Sequence, residues 1–187
     1  MAFKIFPVLT TERLIIDRLT KSDRTSIYKI FSDPRVIENY DVERFKDISE
    51  ADNLVDYFDA RFESFTGIRW AARKKGSGEL IGTAGFTTWN EFDHSVNLGY
   101  DLAFEYWGQG YATEMLAVIL DYAFSEGFPF FVNRIEASIL PHNEASIKLV
   151  KRFGFQYEGT LRDKCFWNGA FHSMDLYSLI RRDLPGR

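Results

Sequence analysis

Apolar and polar positions along the chain switch between a period near 2 and a period near 3.6, and each switch marks an element. Leu14-Ile15-Ile16, inside residues 12–19, predicts a first strand. Thr20 then offers an N-cap to a helix that gathers Ile27, Ile30 and Phe31 on one face. A second helix is expected from Ser49, with Asp52 three residues on as a variant capping box and Leu54, Phe58 and Phe62 at helical spacing. The pattern then turns to strand. Residues 68–73 and 80–89 are β-rich runs around Gly76-Ser77-Gly78, so they should pair as antiparallel neighbours, and residues 95–104 form a third run. Ala112, Leu116, Ile119 and Ala123 make the apolar stripe of a long helix over residues 109–127, which Gly127 can end. Residues 134–140 predict a short strand. Pro141-His142 is a break, and Asn143 caps a helix carrying Ile147, Val150 and Phe153 that stops at Gly154. This strand–helix–strand order favours a parallel pair. Residues 160–167 and 170–180 flank Asn168-Gly169, whose tolerance of positive φ suits a type I′ hairpin turn.

Composition narrows the classes. With 187 residues, 45% hydrophobic and 17% aromatic, one domain burying roughly 70% of its unfolded surface is within reach, and no linker or repeat divides residues 1–187. Lys plus Arg total 23 and Asp plus Glu 27, a net charge of -4 with neither sign in a long run. That argues against a generic nucleic-acid surface. Cys165 is the sole cysteine, and the three histidines lack ligand spacing, so neither a disulfide nor a metal site is expected. No apolar stretch of about 18 residues occurs, and the first ten residues lack a signal pattern. The expectation is a soluble cytoplasmic protein that neither enters a membrane nor binds nucleic acid.

The chemistry concentrates in Trp107-Gly108-Gln109-Gly110-Tyr111-Ala112-Thr113. A glycine-bearing turn leading into a helix leaves backbone N–H groups unpaired at the positive end of the helix dipole, which suits a pyrophosphate. It is neither a Walker A loop, since no Gly-Lys-Ser/Thr follows, nor a GxGxxG fingerprint. Alone, it reads equally well as a structural turn.

Its context is more specific. Asn97-Leu98-Gly99-Tyr100-Asp101-Leu102 precedes the turn, and Asn143-Glu144-Ala145-Ser146-Ile147-Lys148-Leu149-Val150-Lys151-Arg152-Phe153-Gly154-Phe155 follows the next strand. In this order and spacing the segments resemble the GNAT superfamily of N-acetyltransferases, and most closely its ribosomal-protein N-terminal acetyltransferase branch. The resemblance runs from Thr11-Glu12-Arg13-Leu14 to Tyr177-Ser178-Leu179. It implies an α/β fold: a mixed, mainly antiparallel sheet, split at a central parallel pair, with helices on both faces. It implies acetyl-CoA as co-substrate, a bulged strand ending near Leu102, and a V-shaped slot for the pantetheine arm. A glycine inside a strand often marks such a bulge or a close approach, so Gly99 fits, the alternative being a glycine packed beneath Trp107 or Tyr111.

By family position the backbones of Tyr100, Asp101 and Leu102 contact pantetheine, one N–H polarising the thioester carbonyl, while Gln109, Gly110, Tyr111, Ala112 and Thr113 hold the pyrophosphate. Asn143 turns toward cofactor and active-site water, or serves only as an N-cap. Ser146 stands where this branch places a hydroxyl beside the coenzyme A sulfur, or is a plain helix serine. The chain departs from the wider family at Trp107, where Arg or Gln is usual. It also departs at Val150, where other branches place a tyrosine general acid, and at Asn97 and Cys165, where relatives can carry Glu. No general base is therefore nominated.

Glu91, Asp93, Asp101 and Asp175 are the nearest carboxylates, each read as solvated or capping. A Cys165 nucleophile with His172 is outweighed by a buried strand cysteine, and His94, His142 and His172 default to exposed positions. Trp70, Trp89, Trp107 and Trp167 default to core or edge packing, and Lys148, Lys151 and Arg152 to an exposed helix face. The reaction expected is direct transfer to a primary amine, favouring a protein or peptide α-amine. A polyamine, amino acid or antibiotic is the alternative acceptor, and an acyl-CoA-binding module without activity the alternative class. The oligomeric state, including a homodimer, stays open.

Overall fold

The computed structural model of the protein describes residues 5–40 and 42–184. In chain order its strands and helices are β1 (Leu9–Thr10), β2 (Leu14–Arg18), α1 (Arg24–Ser32), α2 (Pro34–Ile37), α3 (Ser49–Glu63), β3 (Ile68–Lys74), β4 (Leu80–Asn90), β5 (Ser95–Leu102), α4 (Tyr111–Ala123), β6 (Arg134–Ile139), α5 (Glu144–Arg152), β7 (Gln156–Trp167) and β8 (Ala170–Ile180). The strands form an eight-stranded sheet in the order β1-β2-β3-β4-β5-β6-β8-β7. Its neighbours are antiparallel except at the centre, where β5 and β6 run parallel.

Alternation along β3 separates two apolar layers, as a pleated strand requires. Ile68, Trp70 and Ala72 pack with Leu116, Ile119 and Ala123 of α4 and Val150 of α5. Ala71, pointing the other way, packs with Ile27, Ile30 and Phe31 of α1 and Ala51 and Val55 of α3. Helices thus cover both faces. Full burial of each large apolar side chain contributes about 1.5–3 kcal/mol.

Several local expectations shift by a turn. Thr20 caps a short 3₁₀ turn, Lys21–Asp23, before α1 begins at Arg24. Its N–H reaches Asp23 Oδ2 at 2.9 Å, and Arg73 grips the same carboxylate at 2.6 Å. At α3 the capping comes from Asp47, which accepts the Ser49 N–H at 2.8 Å, and from Glu50, which accepts the N–H groups of Lys46 and Asp47. Asp52 instead pairs with Arg24 at 3.3 Å. The buried face of α3 is Ala51, Val55, Phe58 and Phe62, and Leu54 lies half out. Helix α4 stops at Ala123 rather than Gly127, because Phe124 and Phe128 turn into the core. The Asn168-Gly169 hairpin holds: both residues have positive φ, 50° and 75°, as a type I′ turn needs.

The central pair shapes the site. β5 meets β6 only at Ser95–Arg134, Val96–Ile135 and Asn97–Glu136. The sheet irregularity beside this gap lies on β4, where Thr87 is the extra residue between the Phe86–Leu98 and Thr88–Asn97 pairs, and not on β5 as the resemblance implied. Gly99 answers to a different constraint, since a Cβ there would come within 2.9 Å of Arg69 Nη1.

Candidate active site

Beyond Asn97 and Glu136 the parallel strands separate, so residues 98–102 of β5 have no sheet partner on the β6 side. A cleft of about 540 Å³ follows this free edge, and a second cavity of about 130 Å³ abuts it. Asn39, Tyr40, Tyr100, Asn143 and Ser146 line both. Their junction is where a donor and an acceptor entering from opposite sides would meet.

One end of the cleft is the N-terminus of α4. The first intrahelical bond is Glu114 N–H to the Gly110 carbonyl, so the amides of Tyr111, Ala112 and Thr113 have no acceptor within the helix. All three residues line the cleft. Gly108 and Gly110 turn the chain into the helix at φ 72° and 82°, a region that side chains other than glycine's enter at a cost. Gln109 does not line the cleft: its side chain returns to the Glu105 carbonyl at 2.6 Å. The Trp107 indole donates to the Leu102 carbonyl at 2.8 Å, which ties the end of β5 to the turn.

Residues distant in sequence brace this turn. Arg13 Nε donates to Glu114 Oε2 at 2.6 Å and its Nη1 to the Gln109 carbonyl at 3.0 Å, while its guanidinium lies 4.2 Å from the centre of the Tyr111 ring. The Thr11 hydroxyl also donates to Glu114. Burial pushes the Glu114 carboxyl up, but the bonds from Thr11 and Arg13 outweigh it and hold the group below the usual carboxylate range.

The opposite wall is the head of α5. Asn143 Oδ1 accepts the Ser146 N–H at 3.0 Å, so the asparagine is an N-cap that also faces the cleft. Its Nδ2 donates to the Asn39 carbonyl at 3.4 Å. Ser146 stands half-buried at the junction, and Val150 is buried in the core. The third wall comes from the segment after α2. Asp33 caps that helix by accepting the Arg35 N–H at 2.9 Å, with Pro34 at its first position. Arg35 lies 3.7 Å over the Phe104 ring, which sets Val36, Asn39 and Tyr40 against the cleft.

Behind β5 sits a buried polar network. Arg69 Nη2 donates to Asp101 Oδ2 at 2.6 Å and to the Tyr40 hydroxyl at 2.9 Å, and Arg69 Nε donates to the Thr83 hydroxyl at 2.7 Å. Thr83 in turn gives its N–H to Asp101 Oδ1 at 3.0 Å and its hydroxyl to Oδ2 at 2.6 Å. Both charged side chains are fully buried. Asp101 is therefore neither solvated nor capping, and among the described residues that line either cavity it is the sole carboxylate.

The remaining candidates stand apart. Cys165 faces His172 across the β7–β8 hairpin, half-buried, and the His172 ring stacks on Trp167 at 3.6 Å; neither lines the cavities. His142 is exposed in the turn before Asn143, and His94 Nδ1 lies 2.9 Å from the Phe131 carbonyl. Trp70 and Trp89 pack in the core, and Trp107 lines the cleft. Glu91 and Asp93 are exposed, and Asp175 accepts from Thr160 at 2.5 Å. Lys148 pairs with Glu144, Lys151 lies near Tyr177, and Arg152 lines the cleft.

Residues 13–156 match the family model described as an acetyltransferase (GNAT) domain. The chain belongs to the GNAT acetyltransferases. This GNAT protein is 33% identical to the uncharacterized N-acetyltransferase YoaA of Bacillus subtilis over 177 residues, 95% of this chain and 98% of YoaA. It is 32% identical over 111 residues to the ribosomal protein uS5-alanine N-acetyltransferase of Escherichia coli, 58% of this chain and 56% of that one. Its fold superposes on Mycobacterium smegmatis RimJ, solved with a CoA-disulfide, at a TM-score of 0.83 and 19% identity, covering 96% of this chain and 88% of RimJ. It is an acetyl-CoA-dependent N-acetyltransferase. Among the described residues there is no cluster of three or more potential metal-ligating side chains, and no helix long and apolar enough to cross a membrane.

Proposed function

We propose that this enzyme carries an acetyl group to the α-amine of a protein or peptide N-terminus by direct attack, and that the chain acts as one cytoplasmic domain of this kind. The observation that carries the reading is the wedge between β5 and β6, which ends on the unpaired amides of Tyr111, Ala112 and Thr113. Bound acetyl-CoA supplies a thioester carbonyl open to attack. The amides at the head of α4 suit its pyrophosphate. The free edge of Tyr100, Asp101 and Leu102 suits an extended pantetheine chain lying as an added strand, and one of its N–H groups can polarise the carbonyl. Ser146 and Asn143 present polar groups at the junction, where Ser146 stabilises the departing sulfur.

Acceptor choice follows from the walls. Among the described residues, the smaller cavity is lined by Asn39, Tyr40, Thr87, Asn97 and Ser138 with others, and by no carboxylate. A polyamine or aminoglycoside brings several cations that such walls leave unpaired, whereas a peptide N-terminus needs hydrogen-bond partners for its neighbouring amide. With the Asp101 carboxylate held by Arg69 and Thr83, the acceptor's proton leaves through water, and orientation in the slot supplies much of the rate.

A panel of acceptors tests this by acetyl-CoA-dependent thiol release. Peptides with a free α-amine should be acetylated and the same peptides blocked at the N-terminus should not. Faster turnover of spermidine, an aminoglycoside or a free amino acid than of every peptide would overturn the acceptor assignment.

A further inference from the structure

We infer that the Tyr100 hydroxyl is a catalytic group of this enzyme, donating a hydrogen bond to the coenzyme A sulfur as the carbon–sulfur bond breaks. The inference rests on the donor site proposed above.

Tyr100 lies on β5 on the same face as Leu98 and Leu102, with its ring packed against the α4-side core. Its hydroxyl is buried and, among the described residues, makes no hydrogen bond of normal geometry. Such groups are uncommon, because burial without a partner is costly, and each calls for an explanation. Arg69 Nη1 is also buried without a partner but lines neither cavity, whereas Tyr100 lines both. The unused donor therefore stands where the two cavities meet. Ser146, the candidate for the leaving sulfur, lines the same junction and is near enough to favour the charged phenolate. Burial dominates, however, and pushes the phenol up to about 12. An ordinary thiol titrates near 8.5, so the phenol keeps its proton and acts as a donor throughout.

In the transfer, the acceptor nitrogen bonds to the carbonyl carbon and the carbon–sulfur bond breaks with its electron pair on sulfur. The proton lost by nitrogen goes to solvent. The phenol returns unchanged, and its hydrogen bond matters most when negative charge on sulfur is greatest. Val150 leaves no tyrosine on α5 for this work, and β5 supplies one from the facing wall.

Tyr100→Phe removes the hydroxyl and keeps the ring and backbone. Three measurements decide its role: steady-state kinetics with a peptide acceptor, calorimetric affinities for coenzyme A and desulfo-coenzyme A at pH 9, and the melting temperature. We expect kcat to fall about ten-fold or more, and the preference for coenzyme A over desulfo-coenzyme A to fall several-fold with the affinity for desulfo-coenzyme A unchanged. The melting temperature should hold or rise, since a buried hydroxyl without a partner is lost. Unchanged kcat and unchanged preference, in a variant that still binds coenzyme A, would overturn the role of Tyr100 alone. A lowered melting temperature with equal loss of both ligands would mark the phenol as structural and overturn it too. Failure of the wild-type protein to bind either ligand would overturn the donor site itself.

Discussion

Asp101→Asn should destabilise the protein strongly, although the substitution changes one atom. The wild-type carboxylate is fully buried, 2.6 Å from Arg69 Nη2, and accepts two bonds from Thr83. Asparagine can still accept the Thr83 N–H, but it leaves the Arg69 charge buried with no counter-charge, beside an Nη1 that already lacks a partner. Removing one member of a buried pair costs about 3–5 kcal/mol. For a chain of this length each kcal/mol corresponds to about 2–4 °C, so the melting temperature should fall by about 6–20 °C. The assay is thermal unfolding followed by circular dichroism. The cause is separated by adding Arg69→Met, which removes the stranded charge: the double variant should be more stable than Asp101→Asn alone, with a coupling of about 0.5–3 kcal/mol. A drop below about 3 °C for Asp101→Asn, or a double variant no better than the sum of the two singles, would refute this account of the network.

Gly110→Val forces a β-branched residue to φ 82°, a strain of about 1–3 kcal/mol, so a variant that still folds should lose most of its coenzyme A affinity by calorimetry. Ser146→Ala should lower kcat about ten-fold, roughly 1.4 kcal/mol, with little change in acetyl-CoA affinity, because its hydroxyl meets charge that develops only during transfer; steady-state kinetics beside a binding titration measures both. Acid sensitivity should depend on Asp23, where burial opposes the charge but Arg73 and Thr20 outweigh it and depress the carboxyl. The stability this gives is fully present above the unfolded value near 3.9 and is lost as pH falls through the lower folded value, so urea titrations of Asp23→Asn should show a flatter pH dependence below about pH 4 than wild type.

What could be read from the sequence was local chemistry. Asn143 and Gly154 bound α5 because an N-cap acceptor and a left-handed glycine act within a few residues, and Gly154 has φ 89°. Asn168-Gly169 fixed its hairpin for the same reason. Elements too short for a period escaped: β1 has two residues and α2 four, although Asp33-Pro34 carried a capping signal. The bounds of α4 moved because Phe124 and Phe128 are drawn into the core by distant aromatics such as Phe86. The same limit applies to the site. The Gly108–Gly110 turn was legible, but its bracing joins Arg13 to Glu114 across the chain, and the burial of Asp101 depends on Arg69 from another strand. Asn39 and Tyr40 are polar residues in a loop, and only the placement of α2 over Phe104 turns them toward the cleft.

Backbone amide shifts on adding coenzyme A test the central claim most directly, because the proposed pyrophosphate and pantetheine contacts are backbone groups. In a ¹⁵N-labelled sample the largest changes should fall on Tyr100, Asp101 and Leu102 of β5 and on Tyr111, Ala112 and Thr113 of α4, with smaller changes at Asn143 and Ser146. Saturable binding that leaves both of those segments unmoved, and shifts amides elsewhere on the sheet, would contradict the slot as the donor site.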